Sequence, residues 1–258
     1  MIMEGKILSE LTWSEVAELL KGEVVVMLPI GGGVKEHGHH LPLGTDMMVV
    51  DELAAGVARD TNVLRLPTLN YAYFPAFMDW PGSVSIEAET FKRFVGDIIR
   101  SYARHGARKF LVLDGGVSTH YPLTILSYDL HNELDIEVAV TDIRGLGAEA
   151  SDFVCEAKQG GHGDESETSN MLAIRPDLVK MGMAKQEFPP APYITKGPTG
   201  IHKITLKTKM GGDSGINGDP SRASAKKGRV ILDAMIADIV AFVKSYSGSD
   251  DIHGSEDA

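Results

Sequence analysis

The feature that most restricts how this chain can fold is a regular alternation of short apolar runs with amphipathic stretches. Glu23-Val24-Val25-Val26-Met27-Leu28-Pro29-Ile30 is apolar almost throughout and is bounded by glycine. That is the pattern of a strand buried on both faces. Lys109-Phe110-Leu111-Val112-Leu113 and Ile136-Glu137-Val138-Ala139-Val140 have the same character. Between and after them, apolar residues recur at helical spacing: Val49, Val50, Leu53 and Val57; Phe91, Phe94, Val95, Ile98, Ile99 and Tyr102; Leu232, Met235, Ile236, Ile239 and Val243. Buried strands alternating with amphipathic helices predict an α/β fold, a mainly parallel sheet with helices on both faces. In such folds ligands bind beyond the carboxyl ends of the strands. The loops after Ile30, Leu113 and Val140 are therefore where chemistry is expected.

Composition removes several classes. The 258 residues are 43% apolar, too many for a disordered chain, and no apolar run approaches the ~20 residues of a bilayer span, so no membrane partner is expected. The first residues lack a basic region followed by an apolar core, so no secretory signal is expected. The net charge of −11, with no basic stripe, argues against nucleic acid as a partner. The single cysteine, Cys155, excludes an internal disulfide and a multi-cysteine zinc site, and fits a reducing, cytoplasmic location. Residues 1–246 read as one domain, and 247–258 as an acidic tail that frays.

Three loops carry candidate chemistry. The first, Gly31 to Asp46, holds Glu36, His37, His39, His40 and Asp46 within eleven positions. Imidazole nitrogen and carboxylate oxygen are the ligand set of Zn, Mn or Fe. Asp46 stands where the next helix begins, with Thr45 as its expected cap. Of His39 and His40, one is expected to hold a ligand by hydrogen bond. The second segment, Gly160-Gly161-His162-Gly163-Asp164-Glu165-Ser166-Glu167, is glycine-rich and then acidic before a helix. Asp164 and Glu165 suit either a site or helix capping. His162 suits a general acid/base or a metal ligand. The third segment runs from Asp114 to Pro122 and offers Ser118, Thr119, His120 and Tyr121 after a strand. No dinucleotide fingerprint, Walker motif or nucleophile elbow is present in the right context. Nothing near Cys155 favours a thiolate.

Several of these segments, in order, resemble the creatininase family. The landmarks are Leu11-Thr12-Trp13-Ser14-Glu15-Val16, then Pro29-Ile30-Gly31, then His37-Gly38-His39-His40-Leu41-Pro42-Leu43-Gly44-Thr45-Asp46. Pro81-Gly82-Ser83-Val84-Ser85, His162 through Ser169, and Gly215-Ile216-Asn217-Gly218-Asp219-Pro220 with Ala223-Ser224 and Gly228 follow. The resemblance implies an α/β fold, one or two divalent ions, hydrolysis of amide-type bonds of a small-molecule substrate and a homo-oligomer, hexamers being familiar. It implies His37 and Asp46 as metal ligands, His162 as a catalytic histidine, and Glu167 in or beside the metal shell. Glu36 and His120 are candidates to complete that shell. Ser83, Tyr121 and His40 are candidates for substrate contact.

The chain also departs from the family. Lys35 stands where a glutamate is usual, in a loop one residue longer. Either Glu36 replaces the ligand, or Lys35 neutralises part of the site. Asp114-Gly115-Gly116 lacks a usual histidine, and Ser118 replaces a glutamate. Aromatic lid residues are missing before His162, which makes creatinine a poor substrate expectation. The leading expectation is a metal-dependent amide hydrolase. Its rivals are a hydrolase of a lactone or cyclic diketone, and a non-catalytic relative that binds an anion at Lys35.

Overall fold

The computed structural model describes residues 5–157, 160–189, 194–196, 202–204 and 212–248. A five-stranded parallel sheet forms the centre. Its strands are β1 (Lys6–Ile7), β2 (Val25–Ile30), β3 (Val63–Arg65), β4 (Lys109–Asp114) and β5 (Glu137–Val140), in the order β1-β3-β2-β4-β5. β2 and β4 pair over six residues, from Val25 opposite Lys109 to Ile30 opposite Asp114. The helices are α1 (Trp13–Leu19), α2 (Thr45–Asp60), α3 (Ala88–Arg104), α4 (His120–Leu134), α5 (Ala148–Val154), α6 (Glu165–Ile174) and α7 (Ala225–Gly248). A small antiparallel pair, β6 (Ile194–Lys196) and β7 (His202–Ile204), lies apart from the sheet's order. No helix among the described residues is long and apolar enough to cross a membrane.

The period-two geometry of strands explains the two-sided core. Val26, Leu28 and Ile30 of β2, with Phe110 and Val112 of β4, face Phe91, Val95 and Ile99 of α3 and Leu123, Leu126 and Leu130 of α4. Val25 and Met27, with Leu111 and Leu113, face the opposite way, against Val50, Leu53 and Val57 of α2 and Leu232, Met235 and Ile239 of α7. Both faces are thus covered by helices, and the central strands can be apolar at every position. Burying one such Leu, Ile or Val contributes about 1.5–3 kcal/mol, so these two layers dominate stability.

Some local expectations need correction. Ile136 to Val140 reads as a fully buried strand, but β5 is half-buried along its length because it is the sheet's edge. Phe94 fits the helical period of α3 yet is 47% exposed, since Phe91, Val95 and Ile99 take the inner face. Thr45 is not the cap of α2. Gly44 is, and the Thr45 hydroxyl donates to the Pro42 carbonyl at 2.8 Å. α7 continues through Gly248, and the rest of the expected acidic tail, 249–258, lies outside the described residues.

Several landmark motifs turn out to build the scaffold. Thr12-Trp13-Ser14-Glu15 is a capping box, in which Thr12 Oγ1 accepts from the Glu15 N–H and Glu15 Oε2 from the Thr12 N–H. Ser85 Oγ accepts from the Phe74 N–H at 2.8 Å, and Ser83 Oγ from the Glu36 N–H at 3.0 Å. Gly228 lets α7 lie directly on α6. A Cβ there would sit 1.9 Å from the Ser169 carbonyl oxygen. Gly228→Ala should therefore lower the midpoint of chemical denaturation, by roughly 1–3 kcal/mol in stability, because backbone must move to admit one methyl group. An unchanged midpoint would show that the two helices are not in register as described.

Candidate functional site

The first loop leaves β2 at Ile30 and returns as α2 at Thr45, so its residues collect over the carboxyl end of the sheet's central strand. α6 opens onto the same place. Asp164 caps α6 by accepting from the Glu167 N–H at 3.0 Å, which settles Asp164 as a capping residue. Glu165 is structural as well: it accepts from the Glu156 and Ala157 N–H groups and pairs with Lys227 at 2.6 Å. Glu167, in the first turn of α6, faces the first loop instead, 4.0 Å from His37 Nε2 and 3.9 Å from His162 Nδ1.

Each histidine is oriented by a partner of its own. His37 Nδ1 lies 3.0 Å from the Lys35 carbonyl oxygen, which can only accept, so Nδ1 carries a proton. His37 Nε2 then meets Asp46 Oδ1 at 2.7 Å. A lone pair against a carboxylate requires a cation between them or a second ring proton. His162 Nε2 lies 2.9 Å from Glu36 Oε1 and donates to it, which turns the lone pair of Nδ1 toward Glu167. The two rings are 4.7 Å apart and both residues are buried. His37, His162 and Glu167 offer ligand atoms within 4.8 Å of one another. Imidazoles held by a carbonyl or carboxylate on one nitrogen, with the other nitrogen converging on a carboxylate, are the arrangement of metal-binding histidines. The residues present fit a divalent cation.

The electrostatics are concentrated. Burial pushes the Asp46 carboxyl up, but the Lys35 ammonium at 2.6 Å and His37 hold it well below the usual range. Glu167 is pushed up to about 7 by burial and by the charge of Asp46, against the opposing pull of His162 and Lys35. Burial and the neighbouring imidazoles push His40 down to about 4. A cleft of about 500 Å³ ends on Asp46 and Glu167, with Val50, Ile143 and Met235 on its apolar wall and Arg144 and Asn170 among its polar groups. The volume is within the ~300–1,000 Å³ typical of small-molecule sites.

The other predicted residues divide by position. Glu36 does not face the His37–Glu167 gap. Its Oε1 meets His162 Nε2 and its Oε2 accepts from the Gly38 N–H (2.8 Å), so both oxygens are engaged by protein groups. His40 is fully buried and bonds Thr168 of α6 at 2.8 Å, which ties the loop to the helix and keeps it out of the cleft, while His39 is exposed. His120 is not brought to the cluster: its Nδ1 lies 3.2 Å from the Thr141 carbonyl at the head of α4. Tyr121 beside it is 56% exposed. Ser83 supports the Glu36 backbone. Cys155 lines the cleft, with its thiol pushed up by burial.

Two groups escaped the sequence reading. Gly215 has a φ of +81°, and a Cβ there would lie 2.2 Å from Glu36 Oε2, so this turn is shaped around the Glu36 carboxylate. Its neighbour Asn217 pairs with His162 backbone to backbone. Phe74 and Phe77 belong to the core layer, but both rings stand 5.0 Å from Lys35 Nζ, and the Phe77 ring lies tilted 4.6 Å from that of His162. Only the tertiary contact reveals either role.

The chain matches the protein family described as Creatininase: Creatinine amidohydrolase over residues 9–243. It is 28% identical to the creatinine amidohydrolase of Pseudomonas putida, over 91% of this chain and 95% of the relative. It is 24% identical to the 3-dehydro-scyllo-inosose hydrolase of Thermotoga maritima, over 90% and 80%. It is 25% identical to the mycofactocin precursor peptide peptidase of Mycobacterium ulcerans, over 95% and 94%. A solved creatinine amidohydrolase (creatininase) superposes with a TM-score of 0.77 at 25% identity, covering 96% of this chain and all of that one. Other solved creatininases similar to this chain are described as Zn–Zn and Mn forms.

At the rim of this site, Asp114 ends β4 fully buried, with Oδ1 accepting from Thr119 and the Gly116 N–H and Oδ2 without a hydrogen-bond partner. Burial raises it to about 7, opposed by those two hydrogen bonds and reinforced by the charges of Asp46 and Asp142. A carboxyl raised in the folded state holds its proton after the unfolded chain has lost its own, so stability falls as pH rises from about 4 to about 7. Asp114→Asn keeps an acceptor for Thr119 and removes the ionisation. The variant should melt higher than the parent at pH 8, by a few kcal/mol at most, with the advantage vanishing near pH 4. Equal melting temperatures at pH 8 would refute the assignment.

Proposed function

Because this chain belongs to the creatininase family, we propose that it is a metal-dependent hydrolase of a small amide-type substrate, acting on C–N bonds other than peptide bonds. The observation that carries the reading is the convergence of ligand atoms of His37, His162 and Glu167 within 4.8 Å of one another, with Glu167 and Asp46 also lining a small-molecule-sized cleft. His37, Asp46 and Glu167 would hold a Zn or Mn ion, with the free Nδ1 of His162 turned toward Glu167 beside it. Such an ion supplies Lewis-acid polarisation of a carbonyl and lowers the pKa of water. The solved relatives described with Zn and Mn support that choice of ion.

The chain's own groups supply the rest. Glu36 fixes the ring plane and tautomer of His162, so that Nδ1 always points inward. Glu167 reaches the cleft with about a third of its side chain exposed and accepts from the Gly163 N–H at 2.7 Å, which fixes one oxygen. Its carboxylate and the imidazole of His162 form the proton-handling pair at the scissile bond. Asp46 and Lys35 are held too deeply to exchange protons with a substrate leaving group.

A second reading changes the bond. Similarity to a 3-dehydro-scyllo-inosose hydrolase over most of the chain supports hydrolysis of a cyclic carbonyl compound at the same site. A panel of cyclic amides, formamides, lactones, cyclic diketones and short peptides, with added Mn or Zn, separates the readings. Turnover of the amides alone is expected, turnover of the lactones or diketones alone would favour the second reading, and turnover of peptides alone would overturn the restriction to C–N bonds other than peptide bonds. His162→Ala should lower kcat by about 10²–10⁴-fold with its metal retained at least in part. His37→Ala should lose metal, measured by elemental analysis after dialysis. Full metal content in His37→Ala would overturn the centre.

A further inference from the structure

Lys35 is an unusual neighbour for a cation site. Its side chain is buried, its Nζ is 2.6 Å from Asp46 Oδ2, and the rings of Phe74 and Phe77 stand 5.0 Å away on either contact. The ammonium stands as one half of a buried ion pair with the Asp46 carboxylate.

The charges of the cluster can be counted. With an ion bound, Glu167 is ionised like Glu36 and Asp46, so the three carboxylates contribute three negative charges, and Lys35 one positive charge. One divalent cation among His37, Asp46 and Glu167 brings the buried cluster to neutrality. A second would leave two uncompensated positive charges in a poorly solvated place, which is strongly unfavourable. Among the described residues the ammonium is the cation paired with Asp46 Oδ2, at 2.6 Å, and the rings beside it, Phe74 and Phe77, are apolar. Among the described residues, no second group of three ligands is present.

We propose that the centre takes a single divalent ion, and that the Lys35 ammonium is a built-in substitute for a second cation beside Asp46. Lys35 is then a positioning residue. It holds Asp46 ionised and oriented toward His37 whether or not metal is supplied, and it sets the number of ions by charge. The inference rests on the metal centre proposed above and adds to it a stoichiometry and the residue that enforces it.

The test is the metal count of the full chain, stripped with chelator, dialysed against excess Mn or Zn and freed of loose ions. Elemental analysis should give one ion per chain for the parent. Lys35→Glu converts the count to four negative charges and should take two. Lys35→Met removes the charge with little change in volume. It should bind its single ion at least about tenfold more tightly by calorimetry, the least that removing a unit charge a few ångström from a divalent ion implies. Two ions in the parent, one ion in a folded Lys35→Glu, or unchanged affinity in Lys35→Met would each overturn the proposal. No ion in the parent would instead overturn the metal centre itself, and this inference with it.

Discussion

The hydrogen bond between Glu36 and His162 joins two side chains 126 positions apart and makes two loops into one site. Glu36 rides on the loop leaving the central strand β2, and His162 on the segment that opens α6. Neither loop alone assembles the donors that converge here. The bond also decides which nitrogen of His162 faces inward, so a single 2.9 Å contact fixes both the meeting of the loops and the chemistry of the ring. Much of the surrounding structure serves this contact. Ser83 holds the Glu36 backbone, the Gly215 turn makes room for its carboxylate, and Asn217 pairs with His162 along the backbone.

Burying three carboxylates, two imidazoles and an ammonium in one place costs more desolvation than isolated pairs recover. Stability alone would not select such a cluster, since apolar residues of equal volume would serve better. The two-layered core supplies the stability, with Leu28, Phe110 and Phe91 on one face and Leu53, Leu113 and Leu232 on the other. Against that rigid sheet the cluster can keep unpaired acceptors facing each other. Asp46 against His37, and the partnerless oxygen of Asp114 nearby, are departures from local satisfaction of the kind expected where a protein does chemistry.

The legibility of the site was uneven, and for physical reasons. His37, Asp46, His162 and Glu167 stand out in sequence as candidates because they lie in loops after a buried strand or at a helix start, where little else calls for imidazole. Asp164 and Glu165 were ambiguous, since a helix start favours acids for its own sake, and only their bonds to Glu167, Glu156, Ala157 and Lys227 decided it. Glu36 could be seen as a candidate but not as the partner of His162. His120 follows a strand end like the others, but α4 carries it onto the Thr141 carbonyl. Phe74 and Phe77 carry no sign in sequence that their rings wall in an ammonium.

By itself the sequence determined the parallel α/β architecture, because apolar runs and helical periodicity are local and each element's buried face follows from its own spacing. It also determined the family and the loops that matter, because ordered motifs survive at about a quarter identity. Only the tertiary structure decided which histidine nitrogens are free, that Lys35 is sealed against Asp46, and that His40 is a tie between loop and helix rather than part of the cleft. Those outcomes depend on distances between residues far apart in the chain, and burial, which sets the cost of each charge, exists only once the chain has closed around them.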